Sequence, residues 1–416
     1  MKYQRLSLSK AVAAVLGAAA FAPAAHAIDI NAGDWKLSID GNVNAHYIYS
    51  RCDTSPAVIA GGLACTDTDS SSSSVSNGLL PAALSISGAT TQSGYDIGFT
   101  FGLYPGISTN DGGSPNLQAT NAPNQTTTHT ALGTAGLDVR QVFLTFGNKD
   151  MGTVMAGRNI GLFGADAILN DMTLLGVGAG NGSYAAPANT SLGSIGLGYI
   201  YTDWLSQIDY TTPDLMGVKA TVGIFDPLNT LGQIPASKKA PGFHAKVAYT
   251  AGPLYLSASG LVQQQRNTTT DVLVNNGDYT SWAVDFGGKY DIAGFEVAGW
   301  YYTGKGVGTT GLFVNSDDGD GNPRNSNGFL AQATYKFMQT KFGVNYGQSR
   351  LQAASGDTGI ARADLVENNN KITFGVYQDL TANLMLILEF SRIASLNQAG
   401  QENTSRNVNI GAFLKF

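Results

Sequence analysis

The last eleven residues, Arg406 to Phe416 (RNVNIGAFLKF), alternate strictly, with Val408, Ile410, Ala412, Leu414 and the terminal Phe416 on one strand face and Asn407, Asn409 and Lys415 on the other. Period-two alternation gives a strand one apolar and one polar face. A free C-terminal strand ending in an outward aromatic fits a sheet closed on itself in lipid, where the apolar face needs no protein cover. The first strand candidate repeats the pattern. Trp35, Leu37, Ile39, Val43, Ala45, Tyr47 and Tyr49 share one face, and Lys36, Ser38, Asp40, Asn42, Asn44 and His46 the other. Fifteen residues is long for a soluble strand, whose usual length is about 5–6. It suits a tilted strand that crosses a bilayer and projects beyond it.

The N-terminus independently indicates export. Lys2, Arg5 and Lys10 precede an apolar run from Ala11 to Phe21 and a small-x-small site, Ala25-His26-Ala27, so residues 1–27 read as a cleaved secretory signal peptide. A membrane anchor would need about 20 apolar residues, and Pro23 breaks this run. Residues 28–416 are then a single outer-membrane barrel domain that crosses as strands, because no later stretch could cross as a helix. A composition 13% charged and 43% hydrophobic agrees, since a wet-lumen barrel needs only one apolar face per strand. Loss of three basic residues with the signal moves the formal charge from −6 to −9. That excludes the basic field a nucleic-acid partner requires. Cys52 and Cys65, both in the first long loop, are expected to form a disulfide in an oxidising compartment.

Along the chain, very short turns alternate with long Gly/Asn/Ser-rich loops. Strand candidates run Ala82–Ala89, Tyr95–Tyr104, Leu137–Gly147 and Gly152–Arg158, followed by an insert at 159–198. Alternation is blurred between Leu137 and Arg158, which suggests a face covered by protein. Cleaner hairpins follow, beginning with a strand at Tyr201–Thr211. The count is about 16, an up-and-down antiparallel barrel with both termini on the periplasmic side, short periplasmic turns and long extracellular loops. Outward aromatics such as Trp282, Tyr290 and Phe337 would form interfacial girdles. Charges of both signs, including Asp40, Asp96, Lys246, Glu296 and Glu389, turn inward. A soluble sandwich would share the alternation but not the strand length and hairpin parity.

The stretch Leu137–Thr173, LDVRQVFLTFGNKDMGTVMAGRNIGLFGADAILNDMT, resembles the trimeric diffusion porins of Gram-negative outer membranes. The resemblance implies a third loop folded into the lumen, a short helix, acidic loop residues opposite a ladder of cations, and a homotrimer contacting through its first strands and its last. It implies passive diffusion of small hydrophilic solutes, with outer-membrane lipid and lipopolysaccharide as surroundings and no cofactor. Arg140 matches a ladder arginine, Gly157-Arg158-Asn159 the strand-end signature and Asp171 a loop acid. The departures are Leu175 where a second acid often stands, and Asn42, Ala83 and Asp203 where other ladder cations would sit. A weak transverse field follows. Asp166 either replaces the missing acid or caps a helix at 165–174.

Physical reasoning gives the same outline. A 16-stranded barrel is too wide for side chains to fill, and the insert at 159–198 has the material to narrow it. Arg140 and Arg158 facing Asp166 and Asp171 would set the constriction, unless Arg158 only pins the insert. Asp40, Asn42, His46, Asp96, Lys246 and Glu296 are expected to line the lumen. Three rivals remain open, one of them a purely structural or adhesive barrel, which would need no open path. Inward Tyr255, Trp300 and Tyr302 would suit a channel selective for organic acids or aromatic compounds. A barrel lipase or protease would need a base, but His46, His129 and His244 lie in no nucleophile motif. The run Asp317-Asp318-Gly319-Asp320-Gly321-Asn322 looks like a calcium loop, yet Pro323 and Phe329 break that pattern, and no metal site is expected.

Overall fold

The computed structural model describes residues 27–52, 57–65, 71–107, 137–180, 190–229, 239–266 and 277–416. Residues 1–26 of the expected signal sequence and His129 lie outside them. The strands are β1 (Ile28–Ala32), β2 (Trp35–Cys52), β3 (Ser71–Ser76), β4 (Ala83–Gln92), β5 (Tyr95–Pro105), β6 (Leu137–Asn148), β7 (Gly152–Ile160), β8 (Trp204–Thr211) and β9 (Val218–Phe225). They continue as β10 (Gly242–Ala251), β11 (Leu254–Gln265), β12 (Tyr279–Ile292), β13 (Phe295–Lys305), β14 (Asn325–Phe337), β15 (Thr340–Leu351), β16 (Val366–Asp379), β17 (Leu384–Asn397) and β18 (Glu402–Lys415). Two short helices, α1 (Ala165–Leu169) and α2 (Gly359–Asp364), lie in loops. Neither can cross a membrane.

Neighbouring strands pair antiparallel into a closed barrel of 16 strands with two additions. The seam is β18 on β2, from Ser405 opposite Cys52 to Lys415 opposite Asn42. Reciprocal 3.0 Å hydrogen bonds between Gly41 and Phe416 finish it. The first addition, β1, folds back on β2 and extends the seam, Ile28 opposite Ile39. The second, β3, shares the other edge of β2 with β4. Between them residues 77–82 leave the ladder and turn into the lumen, where Leu79 and Ala82 are buried.

Parity follows the sequence. Val43, Tyr47, Val408, Ile410 and Leu414 are exposed on the outer face, and Asn42, Asn44, Asn407 and Asn409 are buried inside. The blurred stretch has a local cause. Gly102 pairs with Gln141 and Leu103 with Val139, so Arg140 is the extra residue of a β-bulge. The alternation restarts there, Val139 and Val142 both facing out.

Three boundaries differ from expectation. Strand β8 begins at Trp204, because Asp203 has a φ of 62° and Tyr201 donates its N–H to Thr310 in another loop. Helix α1 stops at Leu169, where Asn170, Asp171 and Leu174 continue in turn hydrogen bonds. The last connection is only residues 398–401, since β17 and β18 both reach further than their apolar residues indicate.

The seam gives a direct test. A Cβ on Gly41 would collide with the Ala83 carbonyl and stand 3.0 Å from the Phe416 ring. Gly41→Val should therefore cost about 1–3 kcal/mol as overpacking, read as a lower urea midpoint of the refolded barrel. An unchanged midpoint would show that the seam tolerates the extra bulk.

Candidate constriction and lumen

Residues 161–180 and 190–203 lie inside the barrel after β7 and follow its inner wall from β10 round to β2. Their first turn carries Asp166 on α1 to β10, where Lys246 Nζ donates to it at 3.2 Å. Asn170 and Met172 then meet β14, the Gln332 amide donating to the Asn170 carbonyl (2.6 Å) and its oxygen accepting from the Met172 N–H (2.9 Å). On β15, Asn345 donates to Asp171 (3.1 Å), and Ser349 accepts from the Gly198 N–H (3.1 Å). Lys371 on β16, fully buried, donates to the Gly193 carbonyl at 2.7 Å. Glu389 on β17 accepts the Val177 and Gly178 N–H groups, both at 2.8 Å, and the Tyr377 hydroxyl at 2.7 Å.

These contacts fix the depth of insertion. Gln332, Asn345 and Glu389 each stand five residues from the short-turn end of their strands. At about 3.3 Å per residue and a tilt of about 40°, that is about 13 Å up the wall. The loop therefore sits near the middle of an apolar band about 25 Å tall.

The four expected constriction residues do not converge. Asp171 is a structural hub, its two oxygens accepting from the Thr173 N–H and hydroxyl, Asn345 and, at 2.8 Å, the Tyr199 hydroxyl. Burial, reinforced by the Asp171 charge, holds the Tyr199 phenol well above its ordinary range, so it remains the donor. Asp166 does not face an arginine but the lysine of β10. Arg140 is buried on β6, bonded to Asp138 at 3.0 Å and stacked on Tyr104, with the Trp204 ring 5.7 Å away. Arg158 pairs in register with Val142 and Ser206, both exposed on the outer face, so its parity is outward. Its Nε has no partner among the described residues.

Of the expected lining residues, Asp40, Asp96, Lys246 and Glu296 are partly accessible inside. Thr91 donates to Asp96 at 2.7 Å, and Lys289 stands 3.5 Å from Glu296. Asn42 and His46 are buried and do not line a water path. The inward segment 77–82 covers that part of β2: Asn44 donates to Leu80 O and to Asn42, and Gly78 lies against the His46 ring. Cys52 and Cys65 are bridged.

The wall left over is β4 to β6. Among the described residues no hydrogen bond joins 161–203 to an inward side chain there. Register places Ser85, Ser87, Gly98, Thr100, Gly102 and Thr145 on that inner surface, together with the larger Phe143, Gln141 and Tyr104. Its charges are Asp96 near the short turns and the Arg140–Asp138 pair, which is internally neutralised.

A closed barrel of this strand number, narrowed at mid-height by its third long loop, is a solute channel in architecture. The sequence matches the Gram-negative porin family over residues 11–398. The chain belongs to that family. Among solved structures it is similar to the outer membrane channel DcaP of Acinetobacter baumannii, with 15% identity, a TM-score of 0.66 and coverage of 93% of this chain and 99% of that one. It is also similar to the anion-selective porin from Comamonas acidovorans, at 16% identity and TM-score 0.60, covering 92% and 100%. Salmonella typhi OmpF in complex with daunomycin gives 14% identity and TM-score 0.60, covering 94% and 100%. At these identities the likeness is one of fold. No curated protein matches the chain. This porin is thus an outer-membrane diffusion channel, and its outer face is the lipid-facing one.

The residues that sequence reasoning missed are the sockets of the inserted loop, Gln332, Asn345, Ser349, Lys371 and Glu389. Their inward parity was legible, but which polar residues meet the loop depends on the depth of insertion. Glu389→Ala should leave two buried N–H groups without acceptors, at about 1–3 kcal/mol each. The expected result is faster hydrogen exchange at Val177 and Gly178 in an otherwise intact barrel. Protection equal to that of the parent would mean that Glu389 does not anchor the loop.

Proposed function

We propose that this porin is a homotrimeric, weakly charge-selective channel passing small hydrophilic solutes and ions by size, without a catalytic step. The observation that carries this reading is the wall of β4 to β6, where no inward side chain bonds the inserted loop among the described residues. A transverse field needs opposed, unneutralised charges across the narrow zone. Here one side is uncharged at mid-height, Ser, Thr and Gly with Phe143 and Gln141, and on the other Asp171 is fully hydrogen-bonded and Asp166 is paired with Lys246.

Trp300 and Tyr302 are buried where the inserted loop and its neighbour pack against the wall, and Tyr255, partly buried, packs against the first of these clusters. That supports a general channel over one with an aromatic track for organic acids. His244 is bonded to Asp209 at 2.7 Å, and neither it nor His46 is bonded to a hydroxyl or thiol among the described residues. Both facts support transport without chemistry. The trimer is supported by Arg158, since an arginine on the lipid face costs up to about 2–4 kcal/mol and a neighbouring subunit would cover it. Residues 1–27 are the export signal, removed on secretion. Outer-membrane lipid and lipopolysaccharide surround the trimer.

Planar-bilayer recording tests this. Openings in three equal steps are expected, with a reversal potential near zero under a salt gradient. Ser87→Arg, which adds a charge to that wall, should move the reversal potential toward anions. A strongly selective parent channel, or a Ser87→Arg channel with unchanged selectivity, would refute the neutral-wall reading.

A further inference from the structure

Residues 57–65 of the first long loop lie in the barrel mouth above the inserted loop, on the same wall. The Leu63 N–H donates to Asn369 Oδ1 (3.1 Å) and Ser395 Oγ (2.9 Å), and the Ala64 N–H to Ser395 Oγ (3.0 Å). Backbone bonds join Ala60 to Asp364 (2.7 Å) and Val366 (2.9 Å). Ser395 stands six residues further from the short turns than Glu389, so the first loop forms a second tier over the constriction. The two tiers touch through Leu63, which is 2% exposed and shares one apolar cluster with Leu174, Leu192, Ile195 and Leu197. A Cβ on Gly196 would fall 2.6 Å from Leu63 Cδ1, so this leucine rests directly on the turn at Gly196.

Cys65 lies two residues beyond Leu63, and its disulfide ties it to Cys52, the last residue of β2, with Cα atoms 5.7 Å apart. Loops held by a few hydrogen bonds open locally at small cost. A cross-link that closes the loop removes much of the entropy gained on opening. The wall strand, the disulfide, Leu63 and Gly196 form one continuous chain of contacts.

We propose that the Cys52–Cys65 disulfide and Leu63 are a positioning element for the constriction, a staple that presses the first loop onto Gly196 and keeps residues 190–198 seated. This rests on reading 161–203 as the constriction. Reduction by a dithiol takes two electrons and two protons from the reagent. It yields two cysteine thiols and the reagent's cyclic disulfide.

The experiment is single-channel recording of the full-length refolded channel before and after dithiothreitol, with thiol titration confirming two free cysteines. Reduction should raise the unitary conductance and the open-channel noise. The C52S/C65S variant should show the same state from the start and ignore the reagent. Leu63→Gly, which retains the disulfide, should reproduce it in part. Equal conductance and noise in the oxidised and fully reduced channel would overturn the proposal. Glu389→Ala separates the two readings. If it changes conductance while reduction does not, the loop constricts but the staple is wrong. If neither does, the constriction reading itself fails.

Discussion

Everything in this molecule depends on the pairing of its last strand with its first long one. In hydrocarbon no water is available to an unpaired N–H or C=O, so an open sheet edge is not tolerated and closure is obligatory. Strand β18 supplies it along β2, and two further contacts extend it, Phe416 onto Gly41 and β1 onto the foot of β2. Closure at this strand number leaves a lumen too wide for wall side chains to fill. The interior is therefore organised by loops.

Those loops give a lipid-surrounded barrel the kind of core that a soluble protein has. Leu63, Leu79, Ile168, Leu174, Leu197, Trp300 and Leu330 form one apolar cluster inside the barrel. A second, around Phe163, Phe225, Leu261 and Phe313, joins the constriction loop to the 306–324 connection. Each cluster sits on polar inward side chains that accept and donate to loop backbone, as Glu389 and Lys371 do. Among the described residues the loops pack against one side of the lumen, and the wall of β4 to β6 opposite them is uncharged at mid-height.

Strand existence, parity and hairpin order were legible because each follows from alternation and turn residues alone. The apolar half of RNVNIGAFLKF faces outward as read. The constriction was legible as a loop but not as a set of partners. Asp171 and Arg140 carry the chemistry expected of a pore. Their neighbours, Tyr199 and Asn345 for one and Asp138, Tyr104 and Trp204 for the other, come from distant segments. One inserted residue was enough to hide the logic of β6, since a bulge moves every later side chain to the opposite face. Arg158 shows the same limit: its sequence context is that of a pore arginine, and only the register with Val142 and Ser206 reveals its outward parity.

The break between β3 and β4 ties the wall to what it encloses. Where residues 77–82 leave the ladder, Leu79 and Leu80 donate their N–H groups to the carbonyls of Gly176 and Leu174, and Gly78 accepts from Ser191. The constriction loop thus does for this segment what a neighbouring strand does elsewhere. Variation that shortens the loop would leave backbone groups in the wall without partners. The aperture of this channel can therefore drift through substitutions on the β4 to β6 side far more freely than through changes in the length of the loop that narrows it.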